Sequence, residues 1–258
     1  MKIDLVLTAC DLSDHYLHLY PSVRRIWKKR FGLDCLLILV ANAIPDFISK
    51  DCIPSIILFN PIPNISSIFV AQVIRILYPS LLGDKNVLIT DVDIFPISYD
   101  YFIKSIESIP DDRFVTYRNK YMKQSMMSIC YNVAKGTTWK EIVGTEDLTS
   151  CIKHWYNSSY NGRKNCDGWF TDQQKLYQLV MKWNTSSHRL VVLQDEKMKF
   201  NRLDKRQRKY ILENRSRVKT DIKSGIYTDF HCIKPYSKLK NVIDDLVRAI
   251  EESGALGG

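Results

Sequence analysis

The chain is 258 residues long, 45% hydrophobic and 25% charged, which is ordinary for a globular protein and enough to bury a full core. No apolar run approaches the ~20 residues that cross a bilayer, so no transmembrane segment is expected. Seven scattered cysteines, odd in number and without a C-x-x-C pair, argue against a disulfide scaffold or a cysteine zinc site and for reduced thiols in a cytoplasmic setting.

Residues 2–7 read as strand, too short and too acidic for a secretion signal. Residues 3–7 and 36–40 are apolar strand patterns, and 55–59 is a third, shorter one. A basic-ended helix is expected over 16–31, and another over 66–78, where Val70, Val73, Ile74 and Leu77 recur at helical spacing before Pro79. The run Val87-Leu88-Ile89 then reads as a strand buried on both faces. This alternation predicts a mainly parallel sheet wrapped by helices, with ligands at the carboxyl ends of its strands. In the second half, strands are expected over 114–117, 127–133, 190–193 and 226–231. Helices are expected from Thr138 to Val143, from Gln174 to Trp183 with Asp172 placed to cap it, and over 239–251.

The net charge of +9 is concentrated in residues 197–223, where eleven Lys/Arg stand against Asp204, Glu213 and Asp221, a balance of +8. Such a segment suits an anionic glycan, a membrane surface or plain solvent. Nucleic acid is not expected, because only Phe200 and Tyr210 interleave the charges.

The Val87 strand ends in Asp91-Val92-Asp93. Alternating strand side chains would put both carboxylates on one side, roughly 6–7 Å apart. Two anions so close need compensation, and a divalent cation with oxygen ligands, itself neutralising a phosphate, is the chemical solution; solvent is the plain one.

Three patterns occur in order: Arg75-Ile-Leu-Tyr-Pro79 before the D-x-D strand, Trp169-Phe-Thr-Asp172-Gln173, and His231-Cys-Ile-Lys234-Pro235-Tyr236. Together they resemble the GT-A glycosyltransferases, D-x-D enzymes that use nucleotide-sugar donors, from Lys2 to about Tyr236. The ending is similar to a contracted H-x-x-G-x-x-K-P-W of the glycogenin and galactosyltransferase branch, three residues shorter, the glycine among those missing, and with Tyr for Trp. The resemblance implies an α/β, GT-A (Rossmann-like) single domain over 1–250, with a nucleotide-sugar half (1–98), an acceptor half (99–250) and a tail or linker (251–258). It implies transfer from a UDP-sugar to a glycan or other hydroxyl acceptor with Mn²⁺ or Mg²⁺, held by Asp91, Asp93 and His231. Lys234 would neutralise the leaving phosphate. Thr8, Ala9, Cys10 and Asp11 would hold the base and ribose, although an ordinary strand-to-helix loop explains them equally. Arg75 would bind the diphosphate or pair with a D-x-D carboxylate, and Val92 completes the grip on the donor. Asp172 is the expected catalytic residue, a base for an inverting reaction or, with Gln173, a group near the anomeric carbon in a retaining one; Asp167, Trp169 and Gln173 would shape the acceptor site. The expected location is cytoplasmic, including the host cytoplasm for a viral enzyme, and membrane-peripheral through the basic segment.

Two readings compete. Haloacid-dehalogenase-type phosphatases also end a strand in D-x-D, but there the motif lies near the start of the domain and runs into Gly-Thr or Gly-Val, whereas Asp93 is followed by Ile94-Phe95-Pro96. A basic binding module would use residues 197–223 and leave the site-like clusters unexplained.

Overall fold

The computed structural model describes residues 1–159 and 168–253. Strands β1 (Leu5–Asp11), β2 (Asp34–Val40), β3 (Ile56–Phe59) and β4 (Asn86–Ile89) are followed by the short β5 (Ile94–Pro96) and β6 (Phe114–Thr116). Then come β7 (Asn132–Lys135), β8 (Leu190–Val192), β9 (Arg202–Leu203) and β10 (Asp229–His231). Seven of them form one sheet in the order β3-β2-β1-β4-β7-β6-β8. The first four run parallel, β7 runs antiparallel between β4 and β6, and β8 is parallel to β6. The expected mixed, mainly parallel α/β sheet is therefore observed. A second, three-stranded sheet, β5-β10-β9, stands beside it.

The central strands carry apolar side chains to both faces, as a doubly covered sheet requires. Val6 and Cys10 of β1 and Leu37 and Leu39 of β2 join one core with Trp27, Val218, Leu246 and Ile250. Their neighbours Leu7, Ala9, Ile38 and Val40 join the other, with Phe69, Ile74, Trp139 and Leu176. On the first face lie α1 (Tyr20–Phe31), α8 (Arg215–Lys223) and α9 (Tyr236–Glu252); on the second lie α2 (Ser67–Leu77), α4 (Gly136–Val143), α5 (Leu148–Ser159) and α6 (Thr171–Ser187). Two short helices, α3 (Tyr99–Phe102) and α7 (Arg208–Glu213), complete the set. Helix α1 starts with Pro21 in its first turn and stops at Gly32, whose φ of 69° lets its N–H return to the Lys28 carbonyl. Gly136 is required by a close approach: a Cβ there would stand 2.5 Å from the Gly83 carbonyl oxygen. Among the described residues no helix is long and apolar enough to cross a membrane.

Four expectations change. Residues 127–131 are not strand: the Met127 N–H goes to the Gln173 carbonyl at 3.0 Å, and the Asn132 amide closes onto the carbonyls of Ser128 and Ile129 at 2.7 and 2.8 Å. The late strand begins only at Asp229, after Gly225 turns the chain at φ 75°. Helix α6 begins at Thr171 with Phe170 at its N-cap position, so Asp172 lies inside the first turn and is not the cap. The last helix continues to Glu252, into the stretch expected to be tail; residues 254–258 lie outside the described residues.

Candidate active site

Strand β4 stops at Ile89, and Asp91 to Asp93 form a turn in which the Ile94 N–H meets the Asp91 carbonyl at 3.3 Å. The two aspartates are therefore not successive same-side positions of one strand, because β4 and β5 belong to different sheets and the motif is the bend between them. They nevertheless line one cavity of about 260 Å³ at the carboxyl ends of β1 and β4. Each has found its own counter-charge.

Asp93 is 5% exposed. Its Oδ2 lies 2.8 Å from Lys234 Nζ and 3.2 Å from His231 Nε2. The geometry comes from β10, which pairs antiparallel with β5 so that His231 stands opposite Ile94, and the Cys232 N–H bonds the Asp93 carbonyl at 2.9 Å. Burial opposes the charged carboxylate, but His231 and Lys234 outweigh it and hold Asp93 well below the usual carboxylate range. The stability this gives is present above the ordinary carboxylate pKa and is lost only as pH falls through the depressed value. Lys234 Nζ also sits 3.7 Å from the centroid of the Tyr16 ring, a cation–π contact that fixes the ammonium beside the cavity.

Arg75, in the last turn of α2, joins the other two carboxylates. One guanidinium nitrogen pairs with Asp91 Oδ1, the other donates to Asp172 Oδ2 at 3.0 Å, and Nε donates to the Gln72 carbonyl at 3.2 Å. Burial disfavours the charged guanidinium, yet two carboxylates reverse the balance and raise its proton affinity. Asp172, 3% exposed, is held above the ordinary carboxylate value: burial outweighs Arg75 and the Gln173 N–H, and the Asp91 charge adds to it. One guanidinium between two carboxylates leaves the triad with a formal charge of −1.

The remaining expected residues are distributed unevenly. Ala9, Cys10, Asp11, Val92, Trp169 and Gln173 line the cavity with Arg75, Asp172 and His231. Thr8 does not: it is fully buried within β1. Trp169, expected on the acceptor side, lies in the same cavity as the D-x-D, whereas Gln173 also lines a second cleft. Asp167 lies outside the described residues. Unforeseen members are Tyr16, Ile68, Ala71, Gln72 and Lys205. Ile68, Ala71 and Gln72 lie seven, four and three residues before Arg75 on α2, one helical face, so Arg75 alone was signal enough to find them. Lys205 had no such signal.

The second cleft, about 630 Å³, shares Arg75, Asp91, Gln173, Lys205 and His231 with the first. Its own walls include Arg118, Lys120, Tyr121, Phe200, Arg202 and Arg206. Arg118 makes two 2.8 Å bonds to Asp195 and lies 3.5 Å over the Phe200 ring. Arg202 grips the fully buried Asp229 at 2.8 and 2.6 Å, and the Tyr131 hydroxyl donates to the same carboxylate at 2.6 Å. Among the described residues, no three His, Cys, Asp or Glu side chains cluster closely enough to enclose a metal by themselves. Asp93 and His231, 3.2 Å apart, are spaced like two neighbouring ligands on one ion, which stand about 3 Å apart when the bonds are about 2.1 Å.

No family model matches the chain, and no curated protein does. Among solved structures, the chain is similar to the apo form of the glycosyltransferase GlyE of Streptococcus pneumoniae TIGR4 at 10% identity and a TM-score of 0.49, over 98% of this chain and 63% of that one. It is also similar to the apo bifunctional glycosyltransferase WbbM at 10% identity and a TM-score of 0.45, over 96% of this chain and 50% of that one. The chain thus spans between half and two thirds of the length of these proteins, and a likeness of this degree assigns no activity.

Proposed function

We propose that the chain is a metal-dependent glycosyltransferase that moves a sugar from a UDP-sugar donor to a hydroxyl acceptor. One observation carries the reading: a cavity at the carboxyl ends of β1 and β4 gathers Asp91, Asp93, His231, Arg75 and Asp172, with Lys234 bonded to Asp93. The lining is acidic. Asp11, Asp91, Asp93 and Asp172 stand against Arg75 and Lys205, with Lys234 as the third cation. A diphosphate entering such a cavity is repelled unless a divalent cation enters with it, and two aspartates with an imidazole are a donor set that Mn²⁺ or Mg²⁺ accepts.

Asp93 and His231 would hold that ion, with Asp91 joining them once it leaves Arg75, and the ion would supply Lewis-acid stabilisation of the charge left on the nucleoside diphosphate. Lys234, already desolvated beside Asp93, adds a second positive charge where the leaving group develops. The carboxyl end of β1, Ala9 to Asp11, is strand and not loop, and its two small side chains and one carboxylate suit a base and ribose. Gln173 lies at the boundary of the two cavities, where donor and acceptor meet. Asp172 has its proton affinity raised by burial and hydrogen-bonds Arg75, so it takes the acceptor proton while Arg75 holds it in place. The test is a thermal-shift screen of nucleotide sugars with and without Mn²⁺, followed by UDP release: stabilisation by a UDP-sugar that requires the metal is expected. No stabilisation by any nucleotide sugar would sink the reading.

A further inference from the structure

The basic segment of residues 197–223 does not lie wholly on the outer surface. Arg202, Lys205 and Arg206 line the second cleft, and Lys205 reaches the boundary with the first. A capping box fixes this stretch: Asp204 Oδ1 accepts from the Arg206 N–H at 2.9 Å, while the Gln207 side chain accepts from the Asp204 N–H at 2.9 Å. Lys205 therefore starts from an ordered turn rather than a loose loop.

The charge of the cleft divides into two parts. Arg118 is neutralised by Asp195, Arg202 by Asp229 and Arg206 by Asp204. Arg75 is taken up by Asp91 and Asp172. Lys120 and Lys205 remain, and among the described residues neither has a carboxylate within ion-pair distance; Lys120 lies 5.3 Å from the centroid of the Tyr121 ring. An anion entering here gains two ammonium groups without breaking an existing pair.

Resting on the glycosyltransferase reading, we propose that the second cleft receives an acceptor sugar carrying its own negative charge, a carboxylate or a phosphate ester, with Lys120 and Lys205 as its counter-ions. The shared wall of Arg75, Asp91, Gln173, Lys205 and His231 brings the acceptor hydroxyl to the donor, while the charged substituent sits toward Lys120. Selectivity then comes from the charge on the acceptor. A neutral sugar of the same shape gains no such pairing, and the two exposed ammonium groups stay hydrated beside it.

The experiment titrates the Mn²⁺–UDP-loaded protein with glucose, glucuronate and glucose 6-phosphate, reading binding by ligand-observed NMR. At least one charged sugar is expected to bind about tenfold more tightly than glucose, the size of one charge-assisted contact. Comparing glucuronate with glucose 6-phosphate identifies whether carboxylate or phosphate is preferred. Lys120→Glu, which touches only the second cleft, is expected to remove that preference, as is Lys205→Glu. Equal binding of all three sugars, or a preference that survives both variants, overturns the proposal. So does binding confined to vesicles containing phosphatidylserine, with no preference among the sugars. If UDP with Mn²⁺ gives no thermal stabilisation while the charged sugars still bind through Lys120, the glycosyltransferase reading fails and the anion site stands. If UDP stabilises the protein and the sugars are not discriminated, the anion site alone fails.

Discussion

The two cavities share a wall and have opposite sign. The first is lined by Asp11, Asp91, Asp93 and Asp172 against Arg75 and Lys205. The second is lined by Arg75, Arg118, Lys120, Arg202, Lys205 and Arg206 against Asp91, Asp195 and Asp204, with Asp229 beneath. On the proposed reading, an anionic ligand brings a cation into the first and needs none in the second. The contrast also separates two uses of arginine. Arg75 bridges two carboxylates on the wall that the cavities share, whereas Arg118 and Arg202 are locked into bidentate pairs in the second cavity's own wall. Burial makes such pairs costly to break, because removing one partner strands the other charge.

The strongest test of that distinction is on the wall. Asp229→Ala would leave Arg202 and the Tyr131 hydroxyl facing an empty, fully buried position, and the expected loss is about 3–5 kcal/mol of unfolding free energy in urea titration. An unchanged midpoint would mean that the wall is not held together by this pair. Next comes the acidic cavity. Asp93→Asn keeps a hydrogen-bond acceptor for Lys234 but removes the charge, so donor turnover is expected to fall about 10²–10³-fold and the melting temperature to drop as well, because Lys234 and His231 lose their counter-charge. Chelator should reproduce the loss in the unmodified protein and leave the variant's residual rate unmoved. Full turnover in Asp93→Asn would show that the acid lining serves another end.

Asp172 lies between these extremes. Asp172→Asn preserves a partner for Arg75 while abolishing proton uptake, so kcat is expected to fall about 10²-fold with donor KM nearly constant. Because burial raises the Asp172 pKa in the folded protein, the acid limb of the pH–rate profile should lie above the ordinary carboxylate range and vanish in the variant. A rise in KM at preserved kcat would instead assign Asp172 to positioning Arg75.

Much of this architecture was readable in advance, and the reasons are local. Val87, Leu88 and Ile89 are fully buried, and their unbroken apolar run marked a doubly covered strand. The D-x-D, Arg75 and the His231–Lys234 pair each carried a local pattern, and folding brings them together. The turn at Asp91 to Asp93 was not readable, because the choice between a continuing strand and a bend depends on β10 pairing with β5 from far along the chain. Helix α5 had a signal, Leu148, Ile152 and Trp155 at helical spacing, that its Ser, Thr and Asn content masked. The second cleft was the least legible. Its walls come from residues near 118–130 and 195–206, joined by Arg118–Asp195 and Arg202–Asp229, and no periodicity in either segment announces the pairing.

The smallest expected effect is the most discriminating for the charge argument. Arg206 lines the second cleft as Lys120 does, but its exposed guanidinium already pairs with Asp204 at 2.9 Å. If a cation must be unpaired to attract the acceptor, Arg206→Ala should change the affinity for a charged sugar by less than about twofold, consistent with the small worth of exposed pairs. Removing Arg206 also frees the Asp204 carboxylate, so any measurable change should be a weakening that added salt reduces. Melting temperature should stay within about 1 °C, since the capping box uses the Asp204 carboxylate and the Arg206 backbone N–H rather than the guanidinium. A loss in Arg206→Ala as large as that in Lys120→Glu would mean that total charge, not unpaired charge, governs the cleft.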